Sequence, residues 1–256
     1  MKTQVENFLF RHPELYETAY PADNALPDMC RCLFERHLGA QPASILDIGC
    51  GTGREINALS ETCPDCVGID HSQSMLEFAR SKYSAKYPGL TFEIGDMFSL
   101  RLGRVFDAIT CLGGGMLYAL SQDEIDKTLR TFAAHARAGA LLILETFNGA
   151  RYLSANGFRE HTAFEITLEG GVKGKGLATY SFDRRQQHLI RKRVWEIPGM
   201  APMEDYCAYR LFFPMELEHR LAENGFEVVG MFDNKKLEES DLSGEWLYVA
   251  ALFRNG

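Results

Sequence analysis

Short apolar runs alternate with longer amphipathic stretches over the middle of the chain. The stretches at 54–62, 72–86 and 122–137 repeat apolar side chains on one helical face, which predicts three helices. Strands that alternate with helices in this way form the parallel sheets of α/β domains. We therefore predict a single α/β core over 41–150, whose strands occupy 44–48, 67–70, 91–94, 106–111 and 141–145.

The predicted helices carry recognisable end signals. Ser72 is a plausible N-cap, and Met75, Leu76 and Ala79 follow it on one apolar face. The third helix starts with acidic residues and ends near Arg137, which is the charge order that a helix dipole favours. These signals support the helical assignments between the strands.

The segment before the core has a different pattern. Residues 1–40 contain two predicted helical pieces that are divided at Tyr20-Pro21. Their aromatic and aliphatic side chains are spaced as in a short amphipathic helix that covers another surface. We expect this segment to form a lid, in which Tyr16 and Tyr20 lie over a ligand.

The segment after the core changes to a period of two, which is typical of antiparallel strands. We predict an antiparallel β insertion over 151–208, with strands at 162–169, 176–182 and 188–197 and hairpin turns at 169–171 and 183–185. The chain then returns to the core over 209–256, with a helix at 214–224 and strands at 226–232 and 246–253.

Composition and charge narrow the class of protein. The 256 residues are 46% hydrophobic and 24% charged, which excludes disordered and fibrous classes. The net charge of −8 and the lack of a lysine or arginine cluster argue against a nucleic-acid partner. No apolar run is long enough to cross a membrane and no secretory signal is present, so we expect a cytoplasmic protein with no membrane partner.

The seven cysteines, an odd number, fit a reducing compartment better than a disulfide framework. Two close pairs, Cys30 with Cys32 and Cys63 with Cys66, could supply four thiolates to zinc. Their spacing matches no standard zinc finger, so we expect free thiols and no metal site.

The chemically informative stretch is Ile45-Leu-Asp-Ile-Gly-Cys-Gly-Thr-Gly53, a buried-type strand that enters a glycine-rich turn and then a helix. Gly49, Gly51 and Gly53 allow a tight turn and a close approach of the backbone to a ligand. Asp70 ends the next strand, and Asp96 ends the one after it. Because the carboxyl ends of parallel strands share one edge of a sheet, we expect a nucleoside site there.

These residues resemble the class I S-adenosylmethionine-dependent methyltransferases. The resemblance rests on D-I-G-C-G-T-G at 47–53, G-I-D-H-S-Q-S-M-L at 68–76, G-D-M at 95–97 and F-D-A-I-T-C at 106–111. Within that superfamily the chain is most similar to bacterial enzymes that N,N-dimethylate nucleotide-linked amino sugars. The resemblance implies a Rossmann-like, seven-stranded, mostly parallel sheet with helices on both faces, an antiparallel last strand and a β insertion after the fifth strand.

The resemblance also implies roles for individual residues around S-adenosylmethionine. Asp70 would bind the ribose, and the methionine moiety would lie near Asp47 and the three glycines. The adenine and the remaining surface of the cofactor would contact His71, Met75, Asp96, Met97 and Cys111. The nearest rival is an NAD-dependent dehydrogenase, but its fingerprint requires a glycine where this chain has Arg54.

The acceptor side departs from the amino-sugar enzymes. Those enzymes carry a histidine in the loop after the fourth strand, whereas the matching position here is Tyr118. A tyrosine is a poor base at neutral pH but can orient an amine by hydrogen bonding. We take Tyr118, Asn148 and Tyr180 as the candidate catalytic residues, although an Asx turn would equally explain Asn148.

Three functions remain open from the sequence. The first is methylation of a small molecule, most simply an amine, in bacterial secondary metabolism. The second is a cyclase of the same fold, which would convert S-adenosylmethionine into azetidine-2-carboxylate and methylthioadenosine. The third is a nucleoside-binding regulator without catalysis, since a fold does not fix a function.

Partners are less sharply defined than the cofactor. All three functions predict a small-molecule ligand, and the sequence is compatible with a homodimer. The insertion is locally basic, and we expect its cations to form a solvated hairpin face rather than a phosphate site. These cations are Lys173, Lys175, Arg184, Arg185, Arg191, Lys192 and Arg193.

Overall fold

A seven-stranded sheet forms the centre of the computed structural model, which describes residues 7–154, 159–167 and 171–254. Its order is β10-β11-β5-β4-β1-β2-β3, and the five strands from β5 to β3 are parallel. β11 runs antiparallel to both of its neighbours. The strands are β1 (Ser44–Ile48), β2 (Asp65–Asp70), β3 (Leu90–Ile94), β4 (Phe106–Cys111), β5 (Ala136–Phe147), β10 (Phe226–Phe232) and β11 (Trp246–Phe253).

This arrangement confirms the predicted fold class. All four predicted helices end earlier than expected, since those over 54–62, 72–86, 122–137 and 214–224 end at Leu59, Tyr83, His135 and Glu223. β5 begins at Ala136 and is longer than predicted, because Gly139 takes a φ of +79° and lets the strand continue through an irregular step in its pairing with β4.

Helices cover both faces of the sheet. Successive residues of β1 point to opposite sides, so that Ile45 packs in one buried cluster and Leu46 in the other. The Ile45 side is covered by α2 (Ala25–Leu38), α3 (Arg54–Leu59) and α4 (Gln73–Tyr83), and the Leu46 side by α5 (Gln122–His135) and α7 (Pro214–Glu223). Among the described residues, no helix is long and apolar enough to span a membrane.

The N-terminal segment follows the predicted pattern with one addition. A 3-10 turn over Phe8–Arg11 precedes α1 (Pro13–Ala19), and the chain turns at Tyr20-Pro21 before α2. Pro13 occupies the first turn of α1, where its missing N–H costs no hydrogen bond. We call residues 7–23 the N-terminal lid.

The β insertion is a second sheet of four antiparallel strands in the order β6-β7-β8-β9. They are β6 (His161–Thr167), β7 (Lys173–Asp183), β8 (His188–Glu196) and β9 (Met203–Arg210), and a single turn of helix, α6 (Gly149–Tyr152), precedes them. Sequence analysis predicted only three strands and missed β9. Its inward-facing positions include the buried Asp205, so its alternation of apolar and polar residues is broken.

The predicted turn at 169–171 lies partly outside the described residues. β9 crosses the boundary that we predicted at 208 between the insertion and the C-terminal segment. The domain limits at 40, 150 and 208 remain predictions.

Candidate functional site

The glycine loop joins β1 to α3 and is shaped by backbone conformations that favour glycine. The N–H groups of Gly49 and Cys50 both donate to the Ile69 carbonyl, at 2.8 and 2.9 Å, which ties the loop to the end of β2. Gly53 has a φ of +78°, and a Cβ placed there would come within 2.5 Å of the Phe92 ring. The loop therefore requires glycine for both conformation and space.

Asp70 holds this loop in place. Its Oδ2 accepts a hydrogen bond from the Gly51 N–H at 2.8 Å, and its Oδ1 accepts one from the Ser72 N–H at 2.8 Å. Each carboxylate oxygen retains a second lone pair for a ligand. Asp70 is therefore a structural link between the glycine loop and α4 as well as the predicted ribose ligand.

Asp47 is buried between two strands. Its Oδ1 accepts a hydrogen bond from the Thr110 hydroxyl at 2.7 Å, which joins β1 to β4. Burial raises the pKa of the Asp47 carboxyl to about 7, although the Thr110 hydrogen bond lowers it. This contact gives Asp47 a structural role, while its predicted part in binding the methionine moiety remains a prediction.

The residues predicted for the adenine side fall into an exposed set and a buried set. His71 is exposed beside Asp70, with its Nδ1 3.5 Å from Oδ1, and the exposed Asp96 accepts a hydrogen bond from the Phe98 N–H. Asp70 pairs with Ile94 across β2 and β3, so these polar side chains share one sheet edge. Met97 is half-buried against the core, and Met75 and Cys111 are buried.

A cavity of about 850 Å³ lies between the core sheet, the β insertion and the N-terminal lid. Gly113 and Gly114, in the loop after β4, line it on the core side. This loop adjoins the glycine loop, because a Cβ on Gly49 would lie 3.6 Å from the Cα of Gly115. Six tyrosines share the lining: Tyr16, Tyr20, Tyr118, Tyr152, Tyr180 and Tyr209.

The structure thus divides the predicted site residues into two groups. The cavity brings together Tyr16, Tyr20, Tyr118 and Tyr180, whose roles remain predictions. Outside its lining lie the predicted cofactor residues Asp47, Gly49, Gly51, Gly53, Asp70, His71, Met75, Asp96, Met97 and Cys111. Trp195, an aromatic residue of β8, also lies outside the cavity lining and is buried beneath the lid and over Gly176.

Asn148 is not among the residues that line the cavity, and its side-chain amide hydrogen-bonds to backbone groups. Its Nδ2 donates to the carbonyls of Leu242 and Gly244, at 2.6 and 2.9 Å. Its Oδ1 accepts the Ala150 N–H at 3.2 Å, which is the Asx-type arrangement that the sequence left open. The structure therefore does not bring Asn148 to the candidate catalytic residues Tyr118 and Tyr180.

Tyr118 is packed among other rings, with centroid distances of 5.8 Å to Phe10 and 5.7 Å to Tyr209. Burial raises the pKa of its hydroxyl above the ordinary value near 10. A phenol with a raised pKa stays protonated at neutral pH, so Tyr118 can donate a hydrogen bond but is a poor base.

Glu145 is a cavity residue that sequence analysis missed. It lies near the carboxyl end of β5, and its Oε2 accepts a hydrogen bond from the Gly113 N–H at 2.6 Å. Burial raises the pKa of this carboxyl to about 7, although the Gly113 hydrogen bond lowers it. Its position at the end of a predicted strand, at the same sheet edge as Asp70, was the signal available in the sequence.

The prediction that the cations of the insertion form a solvated face is partly wrong. Lys173, Lys175 and Lys192 are exposed, as are Arg184 and Arg185. Arg191 and Arg193, however, are only 4% and 1% exposed. Both occupy inward-facing positions of β8, where the pleat directs alternate side chains toward the core sheet.

The N-terminal lid is fastened directly over the predicted cofactor edge. Glu17 accepts hydrogen bonds from the Thr52 hydroxyl at 2.6 Å and from Lys82 Nζ at 2.7 Å. The Phe10 carbonyl accepts one from the Ser74 hydroxyl at 2.8 Å. Because the lid contacts both the glycine loop and α4, its position as described is closed.

The seven cysteines are free thiols, and all but Cys32 are buried. Within the described ranges, no group of three or more histidine, cysteine, aspartate or glutamate side chains is placed to hold a metal ion.

Comparisons with known proteins agree with this architecture. Residues 45–139 match the protein family described as a methyltransferase domain. A dTDP-amino-sugar N,N-dimethyltransferase from Streptomyces fradiae is 34% identical over 113 residues, which cover 44% of this chain and 42% of that protein. A related N,N-dimethyltransferase from Streptomyces venezuelae is 30% identical over 105 residues, covering 41% and 43%. The matches thus span about two fifths of these relatives.

Solved structures extend the likeness over nearly the whole chain. A sugar N-methyltransferase from Streptoalloteichus superposes with a TM-score of 0.76 at 22% identity, covering 100% of this chain and 96% of that one. An S-adenosylmethionine-dependent methyltransferase from Clostridium acetobutylicum gives 0.79 at 16% identity, covering 97% and 100%. The predicted resemblance is confirmed, and the fold is that of the class I methyltransferases.

Proposed function

We propose that this protein, which has the class I methyltransferase fold, methylates the amine of a small molecule with S-adenosylmethionine as donor. One observation supports the proposal beyond the fold. The cavity of about 850 Å³ lies beside the glycine loop, and residues of the β insertion form the wall opposite the core sheet. Its size falls within the range typical of small-molecule sites. It therefore offers room for an acceptor next to the cofactor.

The residues present fit S-adenosylmethionine. Asp70 keeps a free lone pair on each oxygen at the sheet edge, and His71 and Asp96 stand beside it. The glycine loop approaches this edge without side chains. When bound, the cofactor supplies an electrophilic methyl group on a sulfonium.

The tyrosines of the cavity suit this chemistry. A ring that faces a cationic sulfonium contributes on the order of 1–2 kcal/mol when water is excluded. In an in-line displacement the protein acts mainly by aligning the two reactants and keeping water out. We assign the alignment of the amine to the hydroxyls of Tyr118 and Tyr180.

Glu145 supplies the ionisable group that Tyr118 cannot. A protonated amine must lose its proton before its nitrogen lone pair can form the new N–C bond as the S–C bond breaks. A carboxyl whose pKa is about 7 is poised to accept that proton near neutral pH. Its place beside Gly113 puts it on the core wall of the cavity.

The test is incubation with S-adenosylmethionine, first alone and then with primary amines, aminocarboxylates and dTDP-amino sugars, with products analysed by mass spectrometry. We expect S-adenosylhomocysteine and a methylated amine only when an acceptor is present. Methylthioadenosine with azetidine-2-carboxylate from the cofactor alone would instead identify the cyclase. Cofactor binding without turnover on any acceptor would favour the regulator.

A variant pair ties turnover to the predicted cofactor edge. Asp70→Asn keeps one oxygen acceptor but loses the charge, and we expect S-adenosylmethionine affinity to fall about 10- to 100-fold. Glu93→Gln, on the exposed side of the neighbouring strand β3, is the matched control and should bind normally. Equal affinity in both variants, measured by calorimetry, would contradict the assignment of Asp70.

We further propose that the protein acts in the cytoplasm on a small molecule and not on nucleic acid. Its free thiols and acidic net charge of −8 support both statements. Homodimer formation stays a prediction, which sedimentation or light scattering would decide.

A further inference from the structure

The inner face of the insertion sheet buries two guanidinium groups beside one carboxylate. Arg191 and Arg193 lie two residues apart on β8 and point to the same face. Arg193 pairs across the strands with Asp205, and Arg191 pairs with Cys207. This part of the insertion therefore carries one more positive charge than negative charge.

Asp205 is already committed to other partners. Arg193 Nη2 donates to its Oδ2 at 2.5 Å, and Arg193 Nε lies 3.2 Å from both oxygens. The indole N–H of Trp195 and the backbone N–H of Phe8 also donate to Oδ2, at 3.0 and 3.3 Å. This carboxylate thus neutralises Arg193 and anchors the lid.

Arg191 reaches the same carboxylate only at 3.7 Å, which is an ion pair without a hydrogen bond. Its Nη2 donates instead to Cys207 Sγ at 3.1 Å. Burial raises the pKa of the Cys207 thiol, so this sulfur stays protonated and does not offset the charge. The Nε of Arg191 is buried and has no hydrogen-bond partner among the residues that the structure describes.

Arg191 lines the cavity. Its guanidinium lies over the ring of Tyr209, with the central carbon 5.5 Å from the ring centroid, and Tyr180 is its cross-strand neighbour on β7. A buried charge without a full partner is unfavourable unless a ligand compensates it. The unused donor capacity of Arg191 therefore calls for an anion inside the cavity.

We propose that Arg191 binds a carboxylate of the methyl acceptor, so that the substrate class is an amine that also carries an acid group. This inference rests on the proposed function. A planar guanidinium matches the two oxygens of a carboxylate. The buried position of Arg191 among aromatic rings suits one compact anion better than a hydrated diphosphate.

The two walls of the cavity are then complementary to such an acceptor. Glu145 faces it from the core sheet and Arg191 from the insertion sheet. The amine is directed toward the wall where the glycine loop holds the methyl donor, and the carboxylate toward the opposite wall.

The test compares an acid with its neutral amide on protein saturated with S-adenosylhomocysteine. The probes are 4-hydroxyphenylacetate and 4-hydroxyphenylacetamide, and their affinities are measured by calorimetry. We expect the wild-type protein to bind the acid at least about tenfold more tightly, in line with a charge-assisted hydrogen bond. Arg191→Met should abolish this preference, and Arg191→Lys should restore part of it.

Lys192→Met is the matched control, because the neighbouring side chain is exposed on the outer face of the same strand. It should keep the full preference for the acid. A wild-type protein without the preference, or an Arg191→Met variant that retains it, would overturn the proposal. Thermal denaturation checks folding, which we expect to survive because Asp205 keeps Arg193 and Trp195.

One further measurement separates the acceptor from the cofactor. S-adenosylhomocysteine also has a carboxylate, so its affinity is measured for the wild type and for Arg191→Met. Unchanged affinity supports an acceptor subsite, and a matching loss would assign Arg191 to the cofactor and overturn the inference. Failure of the wild type to bind the cofactor would instead contradict the proposed function, and the acid-amide comparison can be repeated on the free protein.

Discussion

The two walls of the cavity are built in different ways. The core wall adjoins the predicted cofactor site. One continuous stretch, residues 45–53, forms most of that site, and its backbone conformation creates the glycine loop. The insertion wall takes single side chains from separate strands, including Tyr180 from β7, Arg191 from β8 and Tyr209 from β9. The first depends on backbone geometry and the second on side-chain identity.

This difference separates the two tasks of the molecule. A backbone turn binds the same cofactor whatever the acceptor, and only a few residue types can form it. Side chains at alternating strand positions can change without disturbing the sheet that carries them. We therefore propose that the core binds the cofactor and that the insertion recognises the acceptor.

The largest effect should come from alanine at Gly53. Its φ of +78° costs a non-glycine residue about 1–2 kcal/mol, and contact with the Phe92 ring adds about 1–3 kcal/mol. We expect the free energy of unfolding to fall by about 3 kcal/mol, measured by urea denaturation.

Gly199 in the insertion offers a matched control. Its φ is +83°, but a Cβ there meets nothing within 4 Å, so alanine should cost only about 1 kcal/mol. If alanine lowers the free energy of unfolding equally at both glycines, backbone conformation alone determines the cost, and close packing around the glycine loop does not contribute.

The next effect concerns pH and the carboxyl on the core wall. Because burial raises the pKa of Glu145 to about 7, the folded state holds this proton more tightly than the unfolded state. Its contribution to stability is complete below about pH 4.5 and is lost as the pH rises through 7. Glu145→Gln should therefore flatten the fall of unfolding free energy over this range by roughly 3 kcal/mol.

In Glu145→Gln the unfolding free energy should still fall in part as the pH rises, because the pKa of Asp47 is also raised to about 7. Glu227→Gln, at an exposed position of β10, serves as the control and should follow the wild-type curve. An unchanged slope in Glu145→Gln would mean that this core-wall carboxyl is ionised throughout, and the proposed proton acceptor would lose its support.

The smallest effect should come from the lid that joins the two walls. Glu17→Ala removes the contacts to Thr52 and Lys82 while leaving the Phe8 contact to Asp205 in the insertion. Partly exposed contacts of this kind contribute up to about 1 kcal/mol, so chymotrypsin should cleave the lid after Tyr16 a few times faster. The exposed Glu14 on the same helix gives the control, Glu14→Ala.

Cofactor addition sharpens the same comparison. If the lid covers bound S-adenosylmethionine, the cofactor should slow cleavage in the wild type and in Glu14→Ala. If the cofactor protects Glu17→Ala as strongly as it protects the wild type, the contact that holds the lid closed is the one between the lid and the insertion.

Sequence reasoning was most successful where local patterns determine structure. The limits of β1, β4, β10 and β11 were predicted as the structure has them, and Ser72 caps α4 through the Met75 N–H. It failed at β9, where the buried polar Asp205 conceals the strand pattern. It also misplaced Arg191 and Arg193, because arginine on a hairpin is usually solvated.

The sequence by itself determined the order of strands and helices, the glycine loop and the acid that follows the next strand. These features arise from residues close together in the chain, so spacing and residue type suffice to predict them. Only the tertiary structure shows that Glu145 and Arg191 lie on opposite walls of one cavity. It alone also shows that the Asn148 amide hydrogen-bonds to a backbone carbonyl and that Asp205 pairs with Arg193. Burial and partner choice depend on contacts between distant segments, which no local pattern records.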